Sequence, residues 1–283
     1  MTSPQAVLDQ YADRAPVGSL ADAYRSLARW TGDDPRLLVA EAAASTTGQG
    51  FLGGIKPTVE RFRDAFVATD RVAGFGELAA LDPDDDDLVA AFGAQRKRHV
   101  LVEAATVLAA RPEKTDLASL QGWAATADQY RYETDPVGSI AGVGPASFQY
   151  LRQLAGIDTA RPDPTLRQLV DAIAADLDAA HLSTTTPLRT IASCEWLAVQ
   201  TSYSPLEIDR LAWWLYTDEA DREAVVDIHG YSHGHGPGPD SDLEPDPSDG
   251  HDPGHGSGSG RGSESRAGTK SAAETDRSDG RSE

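Results

Sequence analysis

The sequence predicts an all-α protein. Apolar residues recur at helical spacing through most of the first 230 positions, and helix start signals are frequent. No segment alternates apolar and polar residues in the manner of a half-buried strand, and no β-hairpin signal is present. The start signals order the elements. Asp34-Pro35 opens a helix through about Ala44, and Pro57 starts the amphipathic run TVERFRDAF. Asp85–Asp87 place negative charge ahead of LVAAF, where the helix dipole favours it. Arg96 to Ala110 puts Val100, Leu101, Ala104, Val107 and Leu108 on one face. Asp163-Pro164 opens TLRQLVDAIAADL, and Ser204-Pro205-Leu206-Glu207 is a capping box leading into IDRLAWWLY.

Composition divides the chain into a helical body, 1–228, and a tail, 229–283. Residues 232–283 contain no Trp, Phe, Ile or Val and one leucine, Leu243. They cannot bury enough apolar surface to offset their ordering entropy, so the tail is expected to be disordered. His229, His233, His235, His251 and His255 sit there without fixed geometry, so no metal site is expected and the tail reads as soluble and acidic. The single cysteine, Cys194, excludes a disulfide framework, a Cys-based zinc site and a Cys-ligated iron–sulfur cluster. No apolar run is long enough to span a membrane. The first thirty residues lack a signal peptide's charged start and apolar stretch, so a cytoplasmic location is expected.

The 283 residues carry a formal charge of −20, from 31 Asp and 14 Glu against 21 Arg and only 4 Lys. The tail accounts for −6, leaving −14 on residues 1–231. Taken alone, this opposes a phosphate-rich partner. Many Asp and few Lys, however, fit a halophilic cytosol, where molar salt shortens the Debye length to roughly 3 Å and acidity keeps protein in solution. Net charge then says little about partners.

The most informative stretch runs SIAGVGPASFQYLRQLAGIDTARPDPTLRQLV, from Ser139 to Val170. A helix reaching about Tyr132 is expected to give way to Ile140-Ala141-Gly142-Val143-Gly144, with Pro145 starting the next helix. Two glycines around one apolar residue allow a tight turn, Val143 anchors it, and the outward amides can hold a phosphate oxygen. The hairpin unit spans 139–156.

Here the chain resembles the helix-hairpin-helix DNA glycosylases of the endonuclease III type, the HhH-GPD proteins. Their L-x-G-V-G hairpin, Gly/Pro loop and helix-opening Asp correspond to Ile140–Gly144, then Gly156, Pro162 and Asp163. Upstream, LLVAEAAASTTGQ (Leu37 to Gln49) is similar to the helix that reads L-x-x-E-x-x-L-Q-Q-T in the adenine-specific branch, with Ser45-Thr46-Thr47 in place of Gln-Gln-Thr. The resemblance spans roughly residues 30–215. It implies a two-lobed helical fold with a cleft between the lobes, double-stranded DNA as partner, and Asp163 as the carboxylate that stabilises a sugar cation or activates water. Glu41 falls where that branch keeps a general acid; a Glu among alanines on a helix otherwise faces solvent or makes a local pair. Ile140, Gly142, Val143, Gly144 and Ala146 would form the backbone grip, and a monovalent cation at the hairpin is the one cofactor allowed.

Ala146 stands where bifunctional members carry a Schiff-base Lys, so lyase chemistry is not expected. Asp163 has a second reading as an ordinary helix cap, since Asp34-Pro35 and Ser204-Pro205 show the same habit. Arg96 and Lys97, in the run Arg96-Lys97-Arg98-His99, are candidate phosphate contacts beside the hairpin, and otherwise a solvated face. Trp123 and Trp196 read as core, and Trp213-Trp214 divide between core and lobe interface. A base-stacking aromatic would be Tyr130, Tyr132 or Phe148. Two functions follow: a monofunctional glycosylase removing a damaged or mismatched base, or a non-catalytic relative that binds DNA or protein.

Overall fold

The helix starts follow the capping residues. A computed structural model describes residues 2–229; within them every regular element is helical. The tail expectation, 229–283, concerns residues outside that range apart from the first. Helices α1 (Pro4–Ala12) and α2 (Val17–Arg25) are followed by α3 (Pro35–Ser45), whose Asp34 cap accepts the Arg36 amide at 3.0 Å. A continuous helical stretch then runs from Phe51 to Val67, with α4 (Lys56–Phe62) between two π-helical turns. Pro57 therefore does not open this helix. The wide turn Phe51–Ile55 precedes it, so Pro57 lies inside a continuous helical stretch, and the N–H it lacks leaves unmade the backbone bond that would follow Lys56 N–H to the Phe51 carbonyl.

Next come α5 (Phe75–Ala79), α6 (Asp86–Phe92), α7 (Gln95–Ala109) and α8 (Asp116–Thr126). Asp85 caps α6 by accepting the Asp87 and Leu88 amides. A 3₁₀ turn, Gln129–Thr134, leads to α9 (Pro145–Leu154), then α10 (Pro164–Asp176), α11 (Pro187–Gln200), α12 (Pro205–Tyr216) and α13 (Glu219–His229). The capping box at Ser204 and Glu207 forms in both directions.

Buried apolar residues fall into two clusters. The first gathers α3 to α9, with Leu38, Phe62, Phe66, Phe75, Leu101, Trp123 and Phe148 at its centre. The second joins α1 to α10, α11 and α12 through Leu8, Leu166, Val170, Cys194, Leu197 and Leu211. α2 serves both, giving Ala21 and Tyr24 to the first and Val17 to the second, and α12 likewise splits Leu206 from Ile208. Trp123 is core as expected, whereas Trp196 is half-buried at the edge of the second cluster against His181. Among the described residues no helix is long and apolar enough to cross a membrane, and no group of three or more His, Cys, Asp or Glu is placed to hold a metal.

Candidate functional site

A cavity of about 310 Å³ lies where α2, α9, α12 and α13 converge with the loops 29–30, 48–51 and 161–165. That volume is at the lower end for sites that take small organic ligands. Its walls are aromatic: Tyr24, Trp30, Phe51, Tyr150 and Trp213. Three arginines share them. Arg29 and Arg210 lie against the Tyr24 ring, 4.3 and 4.6 Å from its centroid, and Arg161 lies 4.5 Å from that of Tyr150. Such cation–ring contacts keep guanidinium groups at an apolar wall without full hydration.

Asp163 faces this cavity and caps α10. Its Oδ1 accepts the Thr165 amide (3.0 Å), the Thr165 hydroxyl (2.7 Å) and the Leu166 amide (3.1 Å). Oδ2 makes no hydrogen bond among the described residues and forms a long ion pair with Arg161 Nε at 3.7 Å. The two readings of Asp163 are thus compatible, one oxygen for the cap and one for the cavity. The loop before it is tied down by Asp209, whose Oδ1 accepts the Arg161 amide at 2.7 Å. Burial pushes the Asp209 carboxyl up, opposed by its ion pair with Arg210.

Glu41 is placed differently from its expected role. It is fully enclosed, accepts Arg29 at both oxygens, and also accepts the Thr31 hydroxyl (3.3 Å) and the Tyr150 hydroxyl (2.6 Å). Both of its oxygens are taken by these donors and its side chain has no exposed surface, so it does not reach the cavity. It stands behind the wall and braces Arg29 and Tyr150, which do face the cavity. Burial pulls the Arg29 guanidinium down, but Glu41, Tyr24 and Tyr150 together leave it raised well above its ordinary value. Burial and the same carboxylate hold the Tyr150 hydroxyl protonated far beyond the usual phenol range.

The hairpin forms a turn closed by the Val143 amide on the Ile140 carbonyl at 2.9 Å. Gly142 has φ +105°, and a Cβ there would lie 3.0 Å from Arg96 Cγ and 3.1 Å from Val100 Cγ2. Gly144 has φ −121° and open space around its Cα, so this glycine is not required by the turn. Ile140 is buried and Val143 half-buried against the first cluster. The amides of Gly142, Gly144, Ala146 and Ser147 make no hydrogen bond among the described residues. The arm leading in is not the expected helix. α8 stops at Thr126, and turns around Pro136–Ser139 are held by Asp135, which accepts the Trp123 indole and the Val137 and Gly138 amides.

The basic run disperses in three directions. Arg96 is exposed and donates to the Gly142 carbonyl from Nε (3.1 Å) and Nη2 (2.7 Å). Lys97 is buried and donates to Gln49 Oε1 at 2.7 Å, with burial lowering its ammonium. Arg98 is buried on the carbonyls of Pro83 and Gly93. Lys97 is therefore removed from any nucleic-acid face.

The expected stacking aromatics also lie elsewhere. Phe148 is core, Tyr132 packs against it, and Tyr130 is exposed and donates to Glu195. The cavity's own aromatics were not singled out by the sequence, apart from Trp213; Trp30-Thr31 and Gly50-Phe51 carry no local signal that distinguishes them from loop residues. α13 contributes Asp221, which accepts the Phe51 (3.1 Å) and Leu52 (2.9 Å) amides and seals one side. Compared with known proteins, the chain matches no family model, no curated protein and no solved structure, and the site rests on its geometry.

Proposed function

We propose that the protein binds double-stranded DNA through the hairpin 139–156 and hydrolyses the N-glycosidic bond of a damaged or mismatched base. One observation carries the catalytic part: Asp163 keeps an oxygen free of its cap, at the wall of an aromatic cavity. The hairpin's four unbonded amides are the phosphate grip, which needs few cations. Pro145 and Tyr150 lie on one helix, about 8 Å apart along its axis at 1.5 Å per residue, so the grip and a cavity wall are rigidly linked.

In the reaction, the target nucleotide leaves the stack and its base enters the cavity. The bond from C1′ to the base nitrogen breaks with its electron pair going to the base. Asp163 Oδ2 stabilises the sugar cation, water adds to C1′, and the proton it gives up ends on the departed base anion, leaving a 1′-hydroxyl and a neutral base. The arginine-rich wall stabilises the departing base, and Glu41 stands behind that wall. With Ala146 at the position of the Schiff-base Lys, the product is an intact abasic site.

The second reading is a non-catalytic module that binds DNA or a protein. It is favoured by the complete helix cap at Asp163 and by the enclosure of Glu41. Incubation in molar KCl with duplexes bearing uracil, oxidised or alkylated bases and mismatches separates the two. Abasic product that disappears in Asp163→Asn is expected. DNA binding without product across the panel would establish the second reading instead.

A further inference from the structure

The wall of the cavity has two parts that are held differently. One is built on α2, α9 and α12, where Tyr24 accepts Arg210 at 2.8 Å, Tyr150 donates to the enclosed Glu41, and Arg210 pairs with Asp209. These helices also give Tyr24, Phe148 and Leu211 to the apolar clusters. The other part is α13 with the turn Gly50–Ile55 that it touches. Among the described residues, α13 is the one α-helix that gives no residue to either cluster. Elements with little buried apolar contact open at the lowest free energy, so this part of the wall moves first.

What holds α13 is polar. Thr217 and Asp218 join it to α12, and Arg222 donates back to the Trp214 carbonyl at 2.8 Å. Across the edge of the cavity, Asp221 accepts the Phe51 amide at Oδ2 (3.1 Å) and the Leu52 amide at Oδ1 (2.9 Å). These are the first two amides of the helical stretch from Phe51 to Val67, donors that a helix cannot satisfy from within. Its own cap position is Gly50, which has no side chain to offer, and a Cβ there would lie 3.3 Å from Asp221 Oδ2. A cap from 170 positions away thus replaces the usual local one. Phe51 sets its ring edge-on to Trp30, centroids 5.8 Å apart, so the bond that holds α13 also fixes two aromatics of the cavity.

We infer that α13 is a lid on the cavity, hinged at Thr217–Asp218 and latched by Asp221 on the Phe51 and Leu52 amides. Closed, it places Asp221 and Val225 in the wall and completes the cap. Released, it withdraws both and leaves the first turn of 51–67 uncapped, so lid and turn open together. The hinge side stays tied through Arg222, and the wall on α2, α9 and α12 keeps its shape. The lid serves whatever the cavity takes, and its test needs neither DNA nor catalysis.

Hydrogen–deuterium exchange of the full chain, read by mass spectrometry, measures the opening. Peptides covering 50–56 and 219–229 are expected to share one level of protection, at least about a hundredfold below that of α9 and α12. Asp221→Ala should lower both by at least about tenfold and leave α9 and α12 unchanged, which also verifies folding. Asp221→Asn, which keeps one acceptor, should fall between. Access is read at Ala23→Cys, a buried wall position on α2, since Cys194 is fully enclosed. Its alkylation by iodoacetamide should quicken at least about tenfold when Asp221→Ala is added. Protection of the two segments equal to that of α9 and α12, a change in one segment without the other, or alkylation indifferent to Asp221→Ala would overturn the lid.

Discussion

Glu41 and Arg29 form an enclosed two-point ion pair, with Arg29 Nη1 2.9 Å from Glu41 Oε2 and Tyr150 donating to the other carboxylate oxygen. Two elements of the cavity wall are thus held by one buried anion. Removing the charge leaves Arg29 uncompensated in the interior, which costs about 3–5 kcal/mol. Glu41→Gln should lower the urea midpoint accordingly and distort base binding through Arg29 and Tyr150. A variant of unchanged stability would show that the pair is not the brace described.

Asp163 separates into two roles by substitution. Asparagine caps a helix as well as aspartate, so Asp163→Asn should stay within about 0.5 kcal/mol of the parent while losing glycosylase activity. Asp163→Ala should lose the activity and about 1 kcal/mol of stability as well. Thermal melts and abasic-site assays on both variants measure this; an active Asp163→Asn would restrict the residue to its cap.

The two hairpin glycines should behave differently. Gly142→Ala places a Cβ against Arg96 and Val100 at a positive φ, so a loss of about 1 kcal/mol or more is expected, with weakened DNA binding. Gly144→Ala meets neither obstacle and should leave the melting temperature unchanged. Equal destabilisation by both would contradict the turn geometry.

Salt dependence should distinguish Arg96 from its neighbour. With few cations at the hairpin, the log–log slope of DNA affinity against KCl should be shallow, and Arg96→Ala should reduce it by about 1. Lys97→Met should leave the slope alone, because that ammonium is buried on Gln49. Filter-binding titrations between low and molar salt measure both, and a steep slope in the parent would point to a contact surface other than the hairpin.

Tyr11 donates to Asp176 at 2.8 Å, and burial, then the bond to that carboxylate, push its hydroxyl from 10.0 up to about 12. The folded chain holds this proton more tightly than the unfolded one, so the stabilisation is complete below pH 10 and is lost as pH rises towards about 12. Denaturant midpoints should fall across that window in the parent and less so in Tyr11→Phe. Phenolate absorbance would show the late titration directly.

Much of the helical framework was legible in the chain because its signals are local. A cap and the proline after it lie within three residues, as at Asp34, Asp163 and Ser204, and the structure opens a helix at each. The misjudged starts and stops have equally local causes. The π turn before Pro57 extends its helix backwards, and Asp135 collects three donors that end any helix heading for the hairpin.

The site was less legible because its polar groups are paired across long stretches of sequence. Tyr150 reaches Glu41 over 109 positions, and Lys97 reaches Gln49 over 48. Spacing along a helix cannot reveal such partners, so Glu41 read as a general acid or a solvent-facing or locally paired side chain, and Lys97 as a phosphate contact or part of a solvated face.

By itself, then, the sequence determined an all-helical body, the positions of its main caps, a glycine-bearing turn at 140–144 and a single cysteine. Only the tertiary structure decided that Asp163 has one oxygen outside its cap, that Glu41 is a brace, and that Tyr24, Trp30, Phe51, Tyr150 and Trp213 line one cavity. The physical reason is range: backbone amides are satisfied by neighbours in the chain, whereas a buried charge or indole N–H is satisfied, or left waiting, by whatever the packing brings to it.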